Sequence, residues 1–354
     1  METRSQLYLA PSVGNQGEKD VQHYLIFHIP GNPGLITYYD PFLSTLHALL
    51  SSGSAIPSVR FHIYGHSLAG FGTTEQHQEL AGLEAQIEYV DDLLYDQVDE
   101  VGRRARQTPK VILMGHSVGA YILLEVIQRH RKRIENDVAK DFDLIGGILL
   151  FPTITHIARS PSGMVASALL AVPRSAHIAS AIVKTLTCLI PASVLYYLIR
   201  ALAWFPEHAA RTTTAFIKSP IGVKESVFLG KDEMDMITND KWGEEVWGAA
   251  TDPLTNSKDT IHSNLVFFWG SNDRWVAQKT RNELIDARGF RKSKTLSSAA
   301  SSISDASSPA DGWKPSMFID DKKIPHGFCI KHSEIVAEQV RNWVEDIIRN
   351  HNES

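Results

Sequence analysis

Residues 111–132 read VILM-GHSVG-AYILLEVIQRHRK, and this stretch decides the fold. Its first four residues are apolar and partly β-branched, which is typical of a strand that is buried on both faces. From Tyr121 to about Lys132 the apolar residues recur at helical spacing. Glycine lies two positions to either side of Ser117, as in a sharp strand-to-helix turn where only small neighbours avoid collision. We therefore predict a strand, a tight turn that projects a serine oxygen, and a helix.

The alternation of short apolar runs with helical patterns continues on both sides of this stretch. Strands are predicted at Tyr24–Ile29, Val59–Tyr64, Val111–Gly115, Ile145–Phe151, Leu265–Trp269 and Ser316–Ile319. Helices are predicted from about Gln78 to Arg104, after Gly119 to about Lys132, and from about Ser333 to Arg349. Strands that alternate with helices favour a mostly parallel sheet flanked by helices. The predicted fold class is α/β.

Composition and charge exclude several classes of protein. The 354 residues are 43% hydrophobic and 21% charged, close to the globular average, which excludes a mainly disordered chain and a multi-span membrane protein. A net charge of -5 argues against a nucleic-acid partner, which requires a basic face. No metal-ligand spacing accompanies His156 or His177, so we predict neither a metal site nor a cofactor. Nothing in the pattern indicates an oligomeric state.

The charge is unevenly distributed along the chain. Leu144–Pro206 contains no Asp or Glu and four basic residues, so the rest of the chain, at a total of -5, carries −9. The apolar part of this stretch is interrupted by Pro161, Pro173 and Pro191, so no single straight helix runs through it. Its longest uncharged run, Thr185–Ile199, is shorter than the roughly 20 residues that span a bilayer.

Residues 160–206 therefore have two interpretations. In the first, they form a cap that buries its apolar side on the protein. In the second, which we prefer, they form a helical hairpin, broken at Pro191, that enters one leaflet of a lipid surface. The missing acids, the flanking arginines Arg159 and Arg200, and the aromatic pairs at 196–197 and 204–205 favour this second interpretation.

The turn at Ser117 predicts nucleophilic chemistry. A serine hydroxyl is a poor nucleophile unless a histidine, itself oriented by a carboxylate, removes its proton. In a sheet of this kind the order along the chain is serine, acid, histidine, with each residue after a later strand. Asp273 follows the strand Leu265–Trp269, and His326 follows the strand Ser316–Ile319. The alternatives are His332 as the base and Asp321 as the acid.

Acyl transfer at such a serine also requires N–H donors for the developing oxyanion. The Val118 N–H, directly after the nucleophile, is the first candidate. The second is the Asn32 N–H, in the loop His28–Gly34 after the first predicted strand; Pro33 has no N–H and cannot serve. Gly115, His116 and Gly119 complete the turn around Ser117.

At these residues the sequence resembles the lipid droplet-associated hydrolase family of the α/β-hydrolase superfamily. The matching segments, between residue 24 and about 345, are PGNPG with Tyr38, Tyr39 and Phe42 after it, GHSVGAY, FPTITHIARSPSG, FFWGSNDRW and HGF. The resemblance implies an α/β-hydrolase fold and a serine hydrolase of lipid droplets and the endoplasmic reticulum, acting on sterol esters or acylglycerols. By motif position, Ser117, Asp273 and His326 match the family's catalytic residues.

These observations combine into one prediction for the whole chain. Residues 1–152 and 207–354 form an α/β-hydrolase core, residues 153–206 form the apolar cap or lipid-surface insertion, and the Ser/Ala-rich residues 293–311 form a flexible loop within the core. The expected partners are a lipid ester and, through about 160–206, a droplet monolayer or the cytosolic face of the endoplasmic reticulum membrane. The alternatives are a droplet-binding protein with a weak site and a soluble short-chain esterase or thioesterase.

Overall fold

The computed structural model describes residues 4–11, 21–53, 56, 58–72, 79–136, 142–248, 264–289 and 315–353, in which seven strands form one sheet. The strands are β1 Gln6–Leu9, β2 Gln22–Ile29, β3 Val59–His66, β4 Lys110–His116, β5 Leu144–Leu150, β6 Asn264–Trp269 and β7 Ser316–Ile319. Their order is β1-β3-β2-β4-β5-β6-β7, and every neighbouring pair is parallel except β1 with β3. The predicted α/β class and all six predicted strands are confirmed.

Helices cover the sheet, so β4 and its neighbour β5 are buried along almost their whole length. The helices are α1 Asp40–Gly53, α2 Leu83–Ala105, α3 Val118–Glu135, α4 Pro161–Leu170, α5 Ser175–Thr187, α6 Ala192–Ala203, α7 Glu207–Lys218, α8 Gly222–Met236, α9 Glu244–Trp247, α10 Gln278–Arg288 and α11 Ser333–Glu353. Helix α1 packs against α11, and α2 packs against α3. Right-handed connections place these two pairs on opposite faces, so both faces of the central strands are shielded from water.

Two elements differ from the sequence prediction. Strand β1 was not predicted, because four residues at the edge of a sheet are too short to show a periodic pattern. Helix α2 begins at Leu83 and not near Gln78, which lies outside the described residues. Gly82 is extended, and the carboxylate of Asp232 accepts a hydrogen bond from the Leu83 N–H at 3.0 Å, which fixes the start of the helix.

The segment between β5 and β6 carries helices α4 to α9. The prolines mark helix boundaries, as expected for residues that cannot donate within a helix. Pro161 is the first residue of α4, Pro173 lies in the turn before α5, and Pro191 directly precedes α6. In the described part of the chain no single helix is long and apolar enough to cross a membrane. Helices α4 and α5, bent by 93°, reach that length and composition only as a pair.

The apolar helices pack against the two helices that follow them. Helix α5 contacts α8, and α6 contacts α7, so α7 and α8 join the same layer as α5 and α6 although they lie beyond residue 206. The division of the chain at residue 206 stays a prediction. The predicted loop at 293–311 lies outside the described residues.

Candidate active site

Ser117 occupies a strained turn between β4 and α3. Its backbone has φ 55° and ψ −123°, a combination that non-glycine residues rarely adopt and that is characteristic of functional sites. The glycines on both sides are sterically required. A Cβ on Gly115 would overlap the carbonyl of Gly119, and a Cβ on Gly119 would overlap the carbonyl of Ile29. The tight turn thus leaves the Ser117 hydroxyl free to project above the carboxyl end of the sheet.

The structure brings Ser117, His326 and Asp273 together. The His326 Nε2 lies 2.8 Å from the Ser117 Oγ, and the His326 Nδ1 lies 2.6 Å from the Asp273 Oδ2. Because a carboxylate only accepts hydrogen bonds, the His326 Nδ1 carries the proton. The His326 Nε2 is then an acceptor for the Ser117 hydroxyl. This arrangement orients the imidazole for removal of a proton from serine.

The loop after β6 aims the carboxylate of Asp273. This side chain is 1% exposed, so water does not compete for its oxygens. Its Oδ1 accepts the Trp275 N–H at 2.8 Å, which leaves Oδ2 for His326. Arg281 donates to the Gly270 carbonyl at 2.9 Å and so fixes the start of the loop.

The loop after β7 delivers His326. The carboxylate of Asp320 accepts the N–H groups of Lys322 at 3.0 Å and Ile324 at 2.6 Å, which curls the chain toward the site. The alternative residues are not part of this arrangement. Asp321 is exposed, and among the described contacts Asp273 and not Asp321 binds His326, while His326 and not His332 binds Ser117.

A second histidine, His116, ties three parts of the site together. The Tyr39 hydroxyl accepts the Gly31 N–H at 2.9 Å and therefore gives its own proton to the His116 Nδ1, 2.7 Å away. The His116 Nε2 then donates to the backbone carbonyl of His326 at 2.9 Å. Burial, with the nearby His326, lowers the pKa of His116 well below its usual value, so the imidazole stays neutral. Sequence reasoning placed His116 in the turn but did not find this role or that of Tyr39.

The two predicted oxyanion donors lie beside the serine. A Cβ on Gly31 would come within 2.9 Å of the Ser117 Cβ, so the segment that carries Asn32 lies directly against the nucleophile. Val118 is the first residue of α3, where helix N–H groups have no partner within the helix. Within the described residues, no acceptor pairs with the backbone N–H of Asn32 or of Val118. Both groups are therefore available to a developing negative charge.

Ser117 and His326 open onto a cavity of about 630 Å³. Its apolar wall comes mainly from α4 and α5, which contribute Ala166, Leu169, Leu170, Ile178, Ala179 and Ile182. Helix α8 contributes Ser226 and Glu233, two residues that no sequence motif indicated. The space suits a long apolar group whose reacting atom lies at Ser117.

The described part of the chain contains no group of three or more His, Cys, Asp or Glu residues that could hold a metal ion. Cys329 is buried beside the site, and burial raises the pKa of its thiol to about 12, so it stays protonated. A protonated thiol is a weaker nucleophile than a thiolate, so Ser117 remains the candidate nucleophile of this site.

Comparison with known proteins identifies the family. A family described as "Lipid-droplet associated hydrolase" matches residues 22–329. The chain belongs to this family. It is therefore a hydrolase with the α/β-hydrolase fold, as the resemblance implied. A relative from Mus musculus, named lipid droplet-associated hydrolase, is 25% identical over 334 residues, which cover 91% of this chain and 85% of the relative.

Solved structures agree on the fold. The juvenile hormone epoxide hydrolase of Bombyx mori matches with a TM-score of 0.56 at 11% identity, over 97% of this chain and 73% of that one. A thermophilic esterase from Thermogutta terrifontis matches with a TM-score of 0.51 at 13% identity, over 97% and 93%. At such low identity these similarities establish the fold of the hydrolase and not its substrate.

Proposed function

We propose that this hydrolase cleaves lipid esters, sterol esters or acylglycerols, at the surface of lipid droplets and on the cytosolic face of the endoplasmic reticulum membrane. One observation carries the proposal. The serine that contacts His326 opens onto an apolar cavity, and the helices that form its wall carry most of the exposed large hydrophobic side chains among the described residues. A site built in this way takes an apolar substrate directly from a lipid phase.

The proposed reaction has two halves. The Ser117 Oγ attacks the carbonyl carbon of the ester while its proton moves to the His326 Nε2. The bond to the alcohol oxygen then breaks, and the alcohol leaves with the proton from His326. Water next attacks the acyl-enzyme, gives a proton to His326, and releases the acid as the proton returns to the Ser117 Oγ. Asp273 stabilises the imidazolium throughout, because its carboxylate accepts the Nδ1–H.

We assign to the backbone N–H groups of Asn32 and Val118 the role of hydrogen-bond donors to the carbonyl oxygen of the ester in both halves of the reaction. Negative charge grows on that oxygen when the carbonyl becomes tetrahedral, and fixed donors stabilise it without reorganisation. The positive end of α3 acts in the same direction, since Val118 begins that helix. One such donor contributes about 3 kcal/mol in other acyl-transfer enzymes.

Lipid contact is assigned to the surface of α4, α5 and α6. Within the described residues, 13 of the 16 exposed large hydrophobic side chains lie between Met164 and Trp204. Leu186 is 70% exposed, Leu189 is 92% exposed and Trp204 is 80% exposed. Soluble proteins rarely present so continuous an apolar surface to water, and such a surface marks a binding site. The names of the relatives refer to lipid droplets, which supports a droplet as the lipid phase.

The link between this surface and the cavity favours lipid hydrolysis over simple lipid binding. Leu169, Ile178 and Ile182 line the cavity and are also 66%, 46% and 53% exposed. The cavity mouth therefore lies within the proposed lipid-contact surface. A substrate acyl chain passes from lipid to Ser117 without crossing water, which avoids a cost of about 0.8 kcal/mol per CH₂.

The proposal is tested with a fluorophosphonate probe and a panel of esters. Wild type is expected to react with the probe, and Ser117→Ala is expected not to react. Ser175→Ala, at a second serine in the same cavity, is the matched control and should remain labelled. Wild type should also hydrolyse cholesteryl oleate or an oleoyl glyceride in mixed micelles faster than p-nitrophenyl acetate.

Two results contradict the proposal in different ways. An unlabelled wild type means that the site is inactive and that the chain acts by binding at the droplet. A labelled wild type that hydrolyses only short esters means that the chain is a short-chain esterase or thioesterase, and the lipid part of the proposal is then wrong.

A further inference from the structure

Glu233 is a buried acid that the proposed mechanism does not use. It lies on α8, is 5% exposed, and is the only carboxyl group among the described residues that line the cavity. Its Oε1 accepts a hydrogen bond from the Asn32 Nδ2 at 2.9 Å. No described residue donates to its Oε2. One oxygen of this carboxyl group thus faces an apolar cavity with no hydrogen-bond partner among the described residues.

The position of Glu233 relative to the serine follows from the contacts of Asn32. Ser226 lies about two turns earlier on the same face of α8. Its backbone carbonyl accepts a hydrogen bond from the Asn32 Nδ2 at 2.9 Å, and its hydroxyl donates to the Asn32 Oδ1 at 2.7 Å. The neighbouring residue, Gly31, lies directly against Ser117. Because both ends of the Asn32 amide bind residues of α8, Glu233 has a fixed place beside the loop that carries a proposed oxyanion donor.

The protonation state of Glu233 gives it a hydrogen to donate. Burial raises the pKa of Glu233 to about 7, although the hydrogen bond from Asn32 acts in the opposite direction. Near neutral pH the carboxyl group is therefore protonated in much of the population, and an acid in this state both donates and accepts. When a fully apolar substrate displaces water from the cavity, this donor and acceptor of Glu233 have no hydrogen-bond partner.

A substrate with a hydroxyl group can pair with Glu233 and so avoids the free-energy cost of an unpaired buried carboxyl group. An unpaired buried polar group costs about 1–3 kcal/mol, and a site built around a substrate hydroxyl discriminates strongly against analogues that lack it. In an ester of glycerol with a free hydroxyl, that hydroxyl lies two carbons from the ester oxygen. A sterol ester has no hydroxyl group, and neither has a fully esterified glycerol.

We propose that Glu233 binds a free hydroxyl of the substrate next to the ester, so that the site prefers partial glycerides to sterol esters and triacylglycerols. This inference rests on the proposed ester hydrolase activity and narrows its substrate class. Glu233 is a specificity-determining residue in this proposal, and its contact with the Asn32 side chain is the structural reason for its position.

A matched pair of substrates tests the inference. The pair is 1-oleoylglycerol and its 2,3-di-O-methyl ether, which have the same ester and acyl chain and differ in the hydroxyl groups. Wild type is expected to hydrolyse the first with a kcat/KM roughly 10- to 100-fold higher. Glu233→Leu should bring the ratio close to one. Glu233→Gln should keep part of the preference, because an amide also donates and accepts.

Ser226→Ala separates recognition of the hydroxyl from positioning of Asn32. It removes a hydrogen bond to Asn32 and leaves the Glu233 carboxyl in place, so both substrates should slow equally and their ratio should stay at the wild-type value. A wild type that hydrolyses both esters equally overturns this inference alone, as does a Glu233→Leu variant that keeps the wild-type ratio. A wild type that hydrolyses neither ester but cleaves cholesteryl oleate also overturns this inference alone. A wild type that cleaves none of the three overturns the proposed function and this inference with it.

Discussion

The imidazole of His116 donates a hydrogen bond to the backbone carbonyl of His326, with the His116 Nε2 and the carbonyl oxygen 2.9 Å apart. The next residue, Ser117, contacts the side chain of His326. The turn that presents Ser117 therefore also holds the loop that delivers His326. Since Tyr39 links His116 to Gly31, a single buried chain of hydrogen bonds fixes the loops on both sides of Ser117.

This chain predicts that Tyr39→Phe lowers kcat about 10- to 100-fold and leaves KM nearly unchanged. Loss of the hydroxyl leaves the Gly31 N–H and the His116 Nδ1 unpaired, so both loops lose their fixed position, and displacements of about 1 Å have such effects on rate. Steady-state kinetics on a lipid ester measure the effect. Tyr38→Phe is the control, because the Tyr38 hydroxyl binds Thr213 outside this chain. Equal kinetics for the two variants would show that the network has no role in catalysis.

Asp273→Asn is expected to lower kcat by about 10⁴-fold with little change in stability. An amide in this place favours the wrong imidazole tautomer, so the His326 Nε2 no longer accepts the serine proton. Labelling by the fluorophosphonate probe should slow to a similar extent. The control, Asp321→Asn, changes an exposed carboxylate in the same part of the structure. If Asp321→Asn is the slower of the two, the assignment of the acid is wrong.

The variant Leu186→Ser/Leu189→Ser/Trp204→Ser should bind neutral phosphatidylcholine vesicles at least about 100-fold more weakly than wild type. Each side chain is mostly exposed and gains about 1–2 kcal/mol when it enters an apolar phase, less than the gain for full burial. Vesicle flotation measures the change. Met236→Ser/Ile319→Ser, at exposed apolar residues outside α4 to α6, should float like wild type. Equal flotation of both variants would place the lipid contact elsewhere.

Arg174→Gln/Lys184→Gln should weaken binding to vesicles that contain phosphatidylserine by about 30-fold, and should not change binding to neutral vesicles. Both residues are exposed in the acid-free segment, where each basic side chain contributes about 1 kcal/mol at an anionic surface. The difference between wild type and variant should shrink as salt is raised. A loss that is the same on neutral vesicles would mean that the substitutions disturb the helices themselves.

His28 makes the fold sensitive to acid. It is fully buried, and neither ring nitrogen has a partner among the described residues. Burial lowers the pKa of His28 to about 3. Between that value and about 6.5, the unfolded chain binds a proton that the folded chain does not. Its contribution to stability is therefore complete above pH 6.5 and is lost as the pH falls.

His28→Leu should remove this dependence. Between pH 7 and pH 4 the wild type should lose about 3 kcal/mol more free energy of unfolding than the variant. Urea unfolding at the two pH values measures both losses. Parallel losses in wild type and variant would show that His28 does not contribute to acid sensitivity.

Much of the fold was predictable from local patterns. The apolar runs of the central strands and the helical spacing of the flanking helices are dictated by burial on both faces of a parallel sheet, which leaves a direct trace in the sequence. Strand β1 and the first residue of α2 were not predictable. The first depends on pairing with β3 across the sheet edge, and the second on a carboxylate from α8, far along the chain.

The candidate site, too, has features that the local sequence predicts and features that it does not. Glycines around Ser117 are a local steric requirement, and the acid and histidine follow later strands. The sequence alone was therefore sufficient to predict that Ser117, Asp273 and His326 lie together. Only the tertiary structure revealed the links from His116 to His326 and from Glu233 to Asn32, which join residues about 200 positions apart through single hydrogen bonds. Such contacts leave no periodic or compositional trace. Their geometry is set by the packing of separate helices and loops above the sheet.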